Sequence, residues 1–442
     1  MERDEVLEMS AGKDIFGDRP SVGPPQPFFH SRWVPAPAHV CDLGPDVGLP
    51  AGFRAAGVAC GIKPSGNRDL GLLVCDAEDP VSAARFTASG TPAAPVLVSQ
   101  ERCRLDSLRA ILANSGCANA ATGKRGLEDA AKTQGAAAIA AGVDESEVAL
   151  ASTGGISQYL PVDAMLKGIL AAGGELRREG DADFQQAIQT TDAFEKRASL
   201  EVELSGGPVR LTAQCKGAGM ISPRFATMFC FVQTDALLER ATADLLLGVT
   251  VKRSFDRASV DGQLSTNDVA VLMCSGASGV RVAPESEDEL RFGEALDALL
   301  RQLAIMMVAD GEGAARIARV VVRGGDLDGA EAAARAVANS PLVKAALHSG
   351  DPNWGRIIQS VGGALGGRDG YPTPLAVDLT LEGIHVCSAG AAIAYDEEAL
   401  ASALQANEVE YEISLPGDGA ETEVFFSDLS HEYVTVNADY HT

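Results

Sequence analysis

Cationic charge is scarce in this chain of 442 residues: 36 lysines and arginines stand against 61 aspartates and glutamates, a formal net charge of −25. A surface of that sign repels phosphate, which argues against nucleic acid or an anionic membrane as the main partner; otherwise the acidity is that of a solvated surface. Cysteines are few, and their number is odd: nine are scattered from Cys41 to Cys387 without a C-x-x-C pair. Several lie inside apolar runs, as in "LLVCDAE", "TMFCFV" and "VLMCSG", and read as buried thiols of a cytoplasmic protein rather than a disulfide framework. The six histidines are equally dispersed and spell no H-E-x-x-H, so no structural metal is expected. No apolar run reaches the length of a membrane span. The opening "MERDEVLEMSAGKD" is acidic where a secretory signal is basic and then apolar, so secretion is not expected. A P-loop G-x-x-x-x-G-K-[ST] and a G-x-S-x-G elbow are both missing, and "GGALGGRDG" reads as a flexible turn rather than a dinucleotide fingerprint.

What is present is an apolar fraction of 46% over a length that suits two or three folding units. Residues 1–49 include "RPSVGPPQPFFHSRWVPAPAHV", which reads as a poorly ordered extension, or as an arm packed on a neighbour through Phe28, Phe29 and Trp33. The compact body is expected to start near Pro50. From "GFRAAGVACGI" to "APVLVSQERC" the pattern is of short apolar strands between glycine, proline and charged turns. "LEDAAKTQGAAAIAAG", "PVDAMLKGILAAGGEL", "ATADLLLGVTVKRSF" and "GEALDALLRQLAIMMVADGEG" have the composition and length of helices. "EVALASTGG" is a strand running into a small-residue loop, and "RASLEVELSGGPVRLTAQC" is a hairpin around Ser205-Gly206-Gly207. "DVAVLMCSG", "ARVVVRGG", "VDLTLEGIHVCSAG" and "EYEISLP" are further strands. Alternating strands and helices with frequent hairpins predict an α/β (α+β) protein of mixed sheets layered between helices.

One stretch carries a chemical signal. In "KGAGMISPRFATMFCFVQTDA", Lys216 to Ala236, a glycine-broken loop leads to Thr227 at the mouth of a buried strand. A threonine hydroxyl needs a base, and an N-terminal threonine carries one in its own α-amine, of pKa about 7.7–8.0. Exposing that amine requires the Ala226–Thr227 bond to break, with the Thr227 hydroxyl attacking the Ala226 carbonyl to form an ester that water opens. By itself the spacing is a weak signal, because threonines at strand starts are common and mostly structural.

The whole stretch resembles the autoprocessing segment of the ornithine acetyltransferase (glutamate N-acetyltransferase) family, in which the threonine after alanine is the nucleophile. "GFRAAGVACGIKPSGNRDL", "ANSGCANAATGKRGLEDA", "ASTGGISQYLP", "AIQTTDAFEK", "SFDRASVDGQLSTND", "DGEGAAR", "NSPLVKAALHSGDPNWGRI" and "VNADYHT" resemble family segments in family order. They span roughly residues 50 to 442. The resemblance implies an αββα-type sandwich with a smaller C-terminal domain. It also implies a precursor cut into residues 50–226 (with the 1–49 extension) and 227–442, the two chains assembling as an α2β2 heterotetramer in the cytoplasm.

Family roles fall on this sequence position by position. Thr227 is the implied nucleophile, Ala226 and Thr227 flank the cleavage, and Thr153 and Gly154 hold the oxyanion. The implied substrate contacts are Thr190, Lys216, Thr227, Glu312, Asn437 and Thr442. The first of these falls at Thr190 or the adjacent Thr191, and spacing to Lys216 favours Thr190. A substrate with an α-carboxylate and a side-chain ammonium calls for a cation such as Lys216 and an anion such as Glu312. The implied reaction is ping-pong transfer of acetyl from N-acetylornithine to glutamate in arginine biosynthesis, without metal or cofactor. Some family members also take acetyl-CoA as donor, and the sequence leaves both donor types open. Ser222, Arg224, Phe225 and Gly155 stand where the family more usually has Ala, Asn, Met and Val, which puts acceptor preference in question. Two other readings remain at this point: a self-cleaved amidase or aminopeptidase with water as acceptor, and an uncut binding protein.

Overall fold

The computed structural model describes residues 27–222 and 228–439. Ala226, Thr227 and Thr442, with Arg224 and Phe225, lie outside the described residues. In chain order the first half holds β1 (Val40–Asp42), β2 (Phe53–Val58), β3 (Leu70–Cys75), β4 (Val81–Phe86), α1 (Ala94–Arg102), β5 (Ala110–Cys117), α2 (Gly123–Ala141), β6 (Val148–Gly155), α3 (Val162–Glu175), α4 (Asp181–Ile188), β7 (Lys196–Leu204) and β8 (Gly207–Lys216). Next come β9 (Phe229–Thr234), α5 (Arg240–Arg253), β10 (Ala258–Ser259), β11 (Val269–Cys274), α6 (Glu287–Ala309) and β12 (Ile317–Arg323). The C-terminal part holds α7 (Leu327–Ala338), α8 (Pro341–Ser349), α9 (Gly355–Leu365), β13 (Asp378–Leu381), β14 (Ile384–Ser388), β15 (Ala391–Ala392), α10 (Glu397–Ala403), β16 (Glu408–Ser414), β17 (Glu421–Ser427) and α11 (His431–Asp439).

Two sheets stack face to face. One has the order β1-β7-β8-β9-β11-β4 and the other β2-β3-β5-β6. Both are mixed: β9 and β11 are parallel, as are β5 and β6, while the remaining neighbours in these sheets are antiparallel. Strands β9 and β11 are buried at every position, as a central strand covered on both faces must be. Phe53, Leu73, Ile111, Phe229, Phe231 and Val271 fill the space between the sheets, joined by Phe184 and Ile188 of α4. Outside, α1, α2 and α3 cover the smaller sheet through Val98, Ala130, Ala137, Met165 and Ile169. On the other side α5 and α6 cover the larger sheet through Leu247, Val251, Phe292, Leu296 and Leu303. The result is the layering helices–sheet–sheet–helices. A third sheet, β10-β17-β12-β16-β13-β14-β15, has its own core against α7, α8, α9 and α10. The expectation of mixed sheets sandwiched by helices, with a smaller C-terminal unit, holds. No helix among the described residues is long and apolar enough to cross a membrane.

Four local readings change. Ordered structure begins well before Pro50: Phe28, Trp33 and Val34 are buried in the core beneath the larger sheet. The Trp33 ring lies 5.7 Å from that of Phe425, and β1 pairs with β7. The stretch 27–49 therefore packs on its own chain, because its prolines remove backbone donors but leave its apolar anchors intact. "APVLVSQERC" forms a helix, not a strand, with Pro95 in the first turn, where a missing N–H costs nothing. The glycines of "GGAL" end α9, and the turn starts only after Leu365. "STGG" is not a loop: β6 continues through Gly155, paired with Cys117. The hairpin stands as expected, Leu204 facing Gly207 across Ser205-Gly206.

Candidate active site

The ends of β6 and β8, the loop after α4, the turn after α6 and helix α11 converge on one cavity of about 150 Å³. Strand β6 delivers the first two residues. It runs in register with β5, Ser115 facing Thr153 and Gly116 facing Gly154. A Cβ on Gly154 would lie 2.4 Å from the carbonyl carbon of Gly116, and its φ of +127° already favours glycine. Only glycine lets the two strand ends touch, and that contact sets Thr153 and Gly154 at the cavity wall.

Strand β8 ends on Lys216, which is buried. Its Nζ donates to Thr153 Oγ1 at 3.2 Å and to Thr190 Oγ1 at 2.9 Å, and stands 5.9 Å from the centre of the Phe229 ring. Burial pushes the Lys216 pKa below that of an ordinary lysine; the charge of Asp192 opposes this, and that of Lys196 adds to it.

Behind this cation lies a buried charge network. Asp192 Oδ2 accepts from the Thr190 N–H at 3.0 Å, while its Oδ1 accepts from the Gly217 N–H and from Lys196 Nζ, each at 2.8 Å. Lys196 Nζ also donates to Asp310 Oδ2 at 2.5 Å, and the Ala193 N–H reaches both Asp310 oxygens at 3.1 and 3.0 Å. The side chains of Asp192, Lys196 and Asp310 are fully enclosed. Burial disfavours ionisation of Asp192, but the charges of Lys196 and Lys216 outweigh it and hold the carboxyl below the usual range. For Asp310 burial prevails, and its pKa rises to about 6 despite Lys196. One ammonium between two carboxylates cannot neutralise both, so the pair splits.

The opposite wall carries the anion. The Glu312 N–H donates to the Ala218 carbonyl at 2.9 Å, and Glu312 Oε2 accepts from Asn437 Nδ2 at 2.8 Å. A Cβ on Gly219 would come within 2.7 Å of the Glu312 carboxylate, so any larger residue there would have to displace that side chain. Tyr433, one turn before Asn437 on α11, places its hydroxyl 3.4 Å from Asp261 Oδ2. Asp261 in turn accepts from the Met220 and Ile221 N–H groups at 2.7 and 3.0 Å, which fastens the loop after β8. Beyond the undescribed residues 223–227, the Met228 N–H donates to Asp268 Oδ1 at 3.1 Å. Asp268 is fully buried, and burial pushes its carboxyl pKa well up.

Of the residues singled out from sequence, Thr153, Gly154, Thr190, Lys216, Glu312 and Asn437 line this one cavity, as does Thr191. Ala226, Thr227 and Thr442 lie outside the described residues. Sequence reasoning missed Asp192, Lys196, Asp310, Asp261, Tyr433 and Asp268. A faint signal existed in the i,i+4 spacing of Asp192 and Lys196, but nothing local marks either as buried. Chemically, the cavity offers threonine hydroxyls, a glycine-lined strand end, the buried cation of Lys216 and two anchored carboxylates, Glu312 and Asp261. That arrangement suits a small zwitterion with a developing negative charge near Thr153.

Comparison with known proteins follows the same segments. The model of the ArgJ family matches residues 54–442. The arginine biosynthesis bifunctional protein ArgJ of Symbiobacterium thermophilum is 40% identical over 405 residues, covering 90% of this chain and 99% of that one. The protein of the same name from Rhodopirellula baltica is 42% identical over 402 residues, covering 89% and 96%. A crystal-structure chain of ornithine acetyltransferase complexed with ornithine, from Mycobacterium tuberculosis, is 37% identical with a TM-score of 0.37, covering 41% of this chain and 95% of that one.

Proposed function

The chain belongs to the ArgJ family, and on that premise we propose that it is a self-cleaving glutamate N-acetyltransferase of arginine biosynthesis. It moves acetyl from N-acetylornithine to glutamate. The observation that carries this reading is Lys216, whose ammonium joins the hydroxyls of Thr153 and Thr190 in the same cavity as the Glu312–Asn437 pair.

In this reading the Thr227 hydroxyl attacks the Ala226 carbonyl, the C–N bond breaks, and the hydroxyl proton passes to the released nitrogen. Water opens the resulting ester and leaves Thr227 as a chain terminus, with residues 1–226 ending in a carboxylate. The free α-amine then takes the hydroxyl proton as Oγ attacks the acetyl carbon of N-acetylornithine. The Thr153 hydroxyl and Gly154 N–H receive the charge on the acetyl oxygen, each such donor contributing about 2.7–4 kcal/mol. The departing ornithine nitrogen takes the proton back. Glutamate reverses these steps on the acetyl-threonine ester. Lys216 binds the α-carboxylate, and Glu312, held by Asn437, binds the ornithine side-chain ammonium; Thr190 and Thr442 complete the contacts.

One amide is exchanged for a similar one, so the transfer runs without a cofactor. Acetyl-CoA, a thioester, is a second donor that would make N-acetylglutamate outright. The two chains stay together, as an α2β2 heterotetramer in the cytoplasm. Nine free cysteines support a reducing compartment. The deciding experiment supplies purified protein with N-acetylornithine and glutamate alone. Ornithine and N-acetylglutamate should appear in equal amounts. Free acetate in place of N-acetylglutamate would make water the acceptor, and strict dependence on acetyl-CoA would overturn the recycling reaction.

A further inference from the structure

A second polar cavity lies where the sandwich meets the third sheet, and its charge is opposite to that of the protein. Arg253, Arg257, Arg301 and Arg319 line it together with Glu421 and Glu423, in a space of about 300 Å³. Four guanidinium groups therefore face two carboxylates in a chain of net charge −25.

The carboxylates are already engaged. Glu423 is shared, one oxygen with Arg301 and the other with Arg319 at 2.8 Å, and Arg319 also reaches Glu410 at 3.4 Å. Glu421 pairs with Arg323 at 2.9 Å, and Arg253 faces Asp297 at 2.8 Å. Arg257 differs from the others. Its hydrogen bond among the described residues is from Nε to the Lys252 carbonyl at 3.3 Å, and no described carboxylate lies within ion-pair distance of it. Burial, with the charges of Arg301 and Arg253, pushes its pKa down against the pull of Glu423. A half-buried guanidinium pressed by like charges is short of an anion. An adjoining cavity of about 300 Å³ shares Arg257 and Glu423 and is lined further by Lys252 and Arg335 and by the acidic Asp256, Asp328 and Glu331, which leaves room for an uncharged or cationic remainder of a ligand. Neither cavity shares a residue with the acetyl-transfer cleft.

We propose that Arg253, Arg257, Arg301 and Arg319 form a binding site for the phosphate group of a small metabolite. Arg257 is the lining guanidinium left without an ion-pair partner among the described residues, and geometry selects phosphate over carboxylate: tetrahedral oxygens can serve its fork and those of neighbouring guanidinium groups at once. A monocarboxylate, planar and with two oxygens, would serve one fork. The site is independent of the acetyl-transfer reading.

The test is calorimetric titration of the full-length protein with inorganic phosphate, and with acetate as the carboxylate control. Phosphate should bind saturably at one site per chain, more weakly as salt is raised, and should raise the unfolding temperature. Arg257→Gln breaks no ion pair among the described residues and should weaken binding about tenfold. Arg253→Gln, whose side chain is half-exposed, should also weaken it, and Arg281→Gln, outside the cavity, should not. Absence of saturable phosphate binding, equal binding of acetate, or phosphate affinity unchanged in both cavity variants would overturn the proposal and leave the cluster as a structural ion network.

Discussion

The ammonium of Lys216 and the hydroxyl of Thr153 are joined by a 3.2 Å hydrogen bond in which the ammonium is the donor. An ammonium cannot accept, so the hydroxyl hydrogen of Thr153 must be spent elsewhere. Lys216 thus fixes Thr153 as a donor, the role an oxyanion requires, and its charge strengthens that donor.

It follows that Lys216→Met should lower kcat by about a hundredfold or more, because both the cation and the orientation of Thr153 are lost. Combined with Thr153→Val, the second substitution should cost little beyond the first, since the two side chains act as one unit. Independent, multiplying losses in steady-state kinetics would show that they act separately. Burial depresses the Lys216 pKa, so the ammonium is lost at lower pH than in an ordinary lysine. The alkaline limb of kcat/KM should therefore fall early in the wild type and move to higher pH in Lys216→Arg, whose residual activity keeps its charge.

Self-cleavage should give two fragments, residues 1–226 and 227–442, that remain associated. Strand β9, which begins two residues after Thr227, lies between β8 of the first fragment and β11 of the second. Thr227→Ala should stay a single chain and be inactive, and Thr227→Ser should cleave with some activity kept. Denaturing electrophoresis with N-terminal sequencing decides, and an uncut wild type with full activity would sink the mechanism, because an amide nitrogen has no basicity.

The Asp192–Lys196–Asp310 network predicts a stability effect rather than a catalytic one. Lys196→Met strands two enclosed carboxylates and should cost about 3–5 kcal/mol in urea unfolding. Replacing the whole set, as Asp192→Asn, Lys196→Met and Asp310→Asn together, should cost less than that single change. A triple variant less stable than Lys196→Met would refute the charge-compensation account.

Lys344 predicts how stability varies with pH. Burial lowers its pKa from 10.5 to about 8, against the pull of Asp428 and Asp261. Between those values the unfolded chain holds the proton and the folded chain does not, so this group's contribution to stability rises with pH across that window. Below it, the charged and buried lysine is a constant penalty. The melting temperature of Lys344→Met relative to wild type should therefore be highest near neutrality and decline as pH climbs past about 8. A difference independent of pH would mean that Lys344 titrates normally.

Sequence alone determined the features that short-range chemistry encodes. The two-residue turn at Ser205-Gly206, the alanine-rich helix 123–141 and the fully buried strand 229–234 follow from propensity and hydropathy within a few residues of one another. The segment motifs likewise named six residues that share the cavity. Tertiary structure alone decided which charges are buried. Lys196 meets Asp310 across 114 positions, and Asn437 meets Glu312 across 125. A lysine or aspartate looks the same in sequence whether it is solvated or enclosed, because the cost of burying it is offset only by partners the chain brings from afar. The same holds for residues 27–49, whose prolines suggest an arm until β7 and Phe425 supply surfaces for β1 and Trp33. It holds too for Arg257, which has no ion-pair partner among the described residues once α5, α6 and β17 have closed around it.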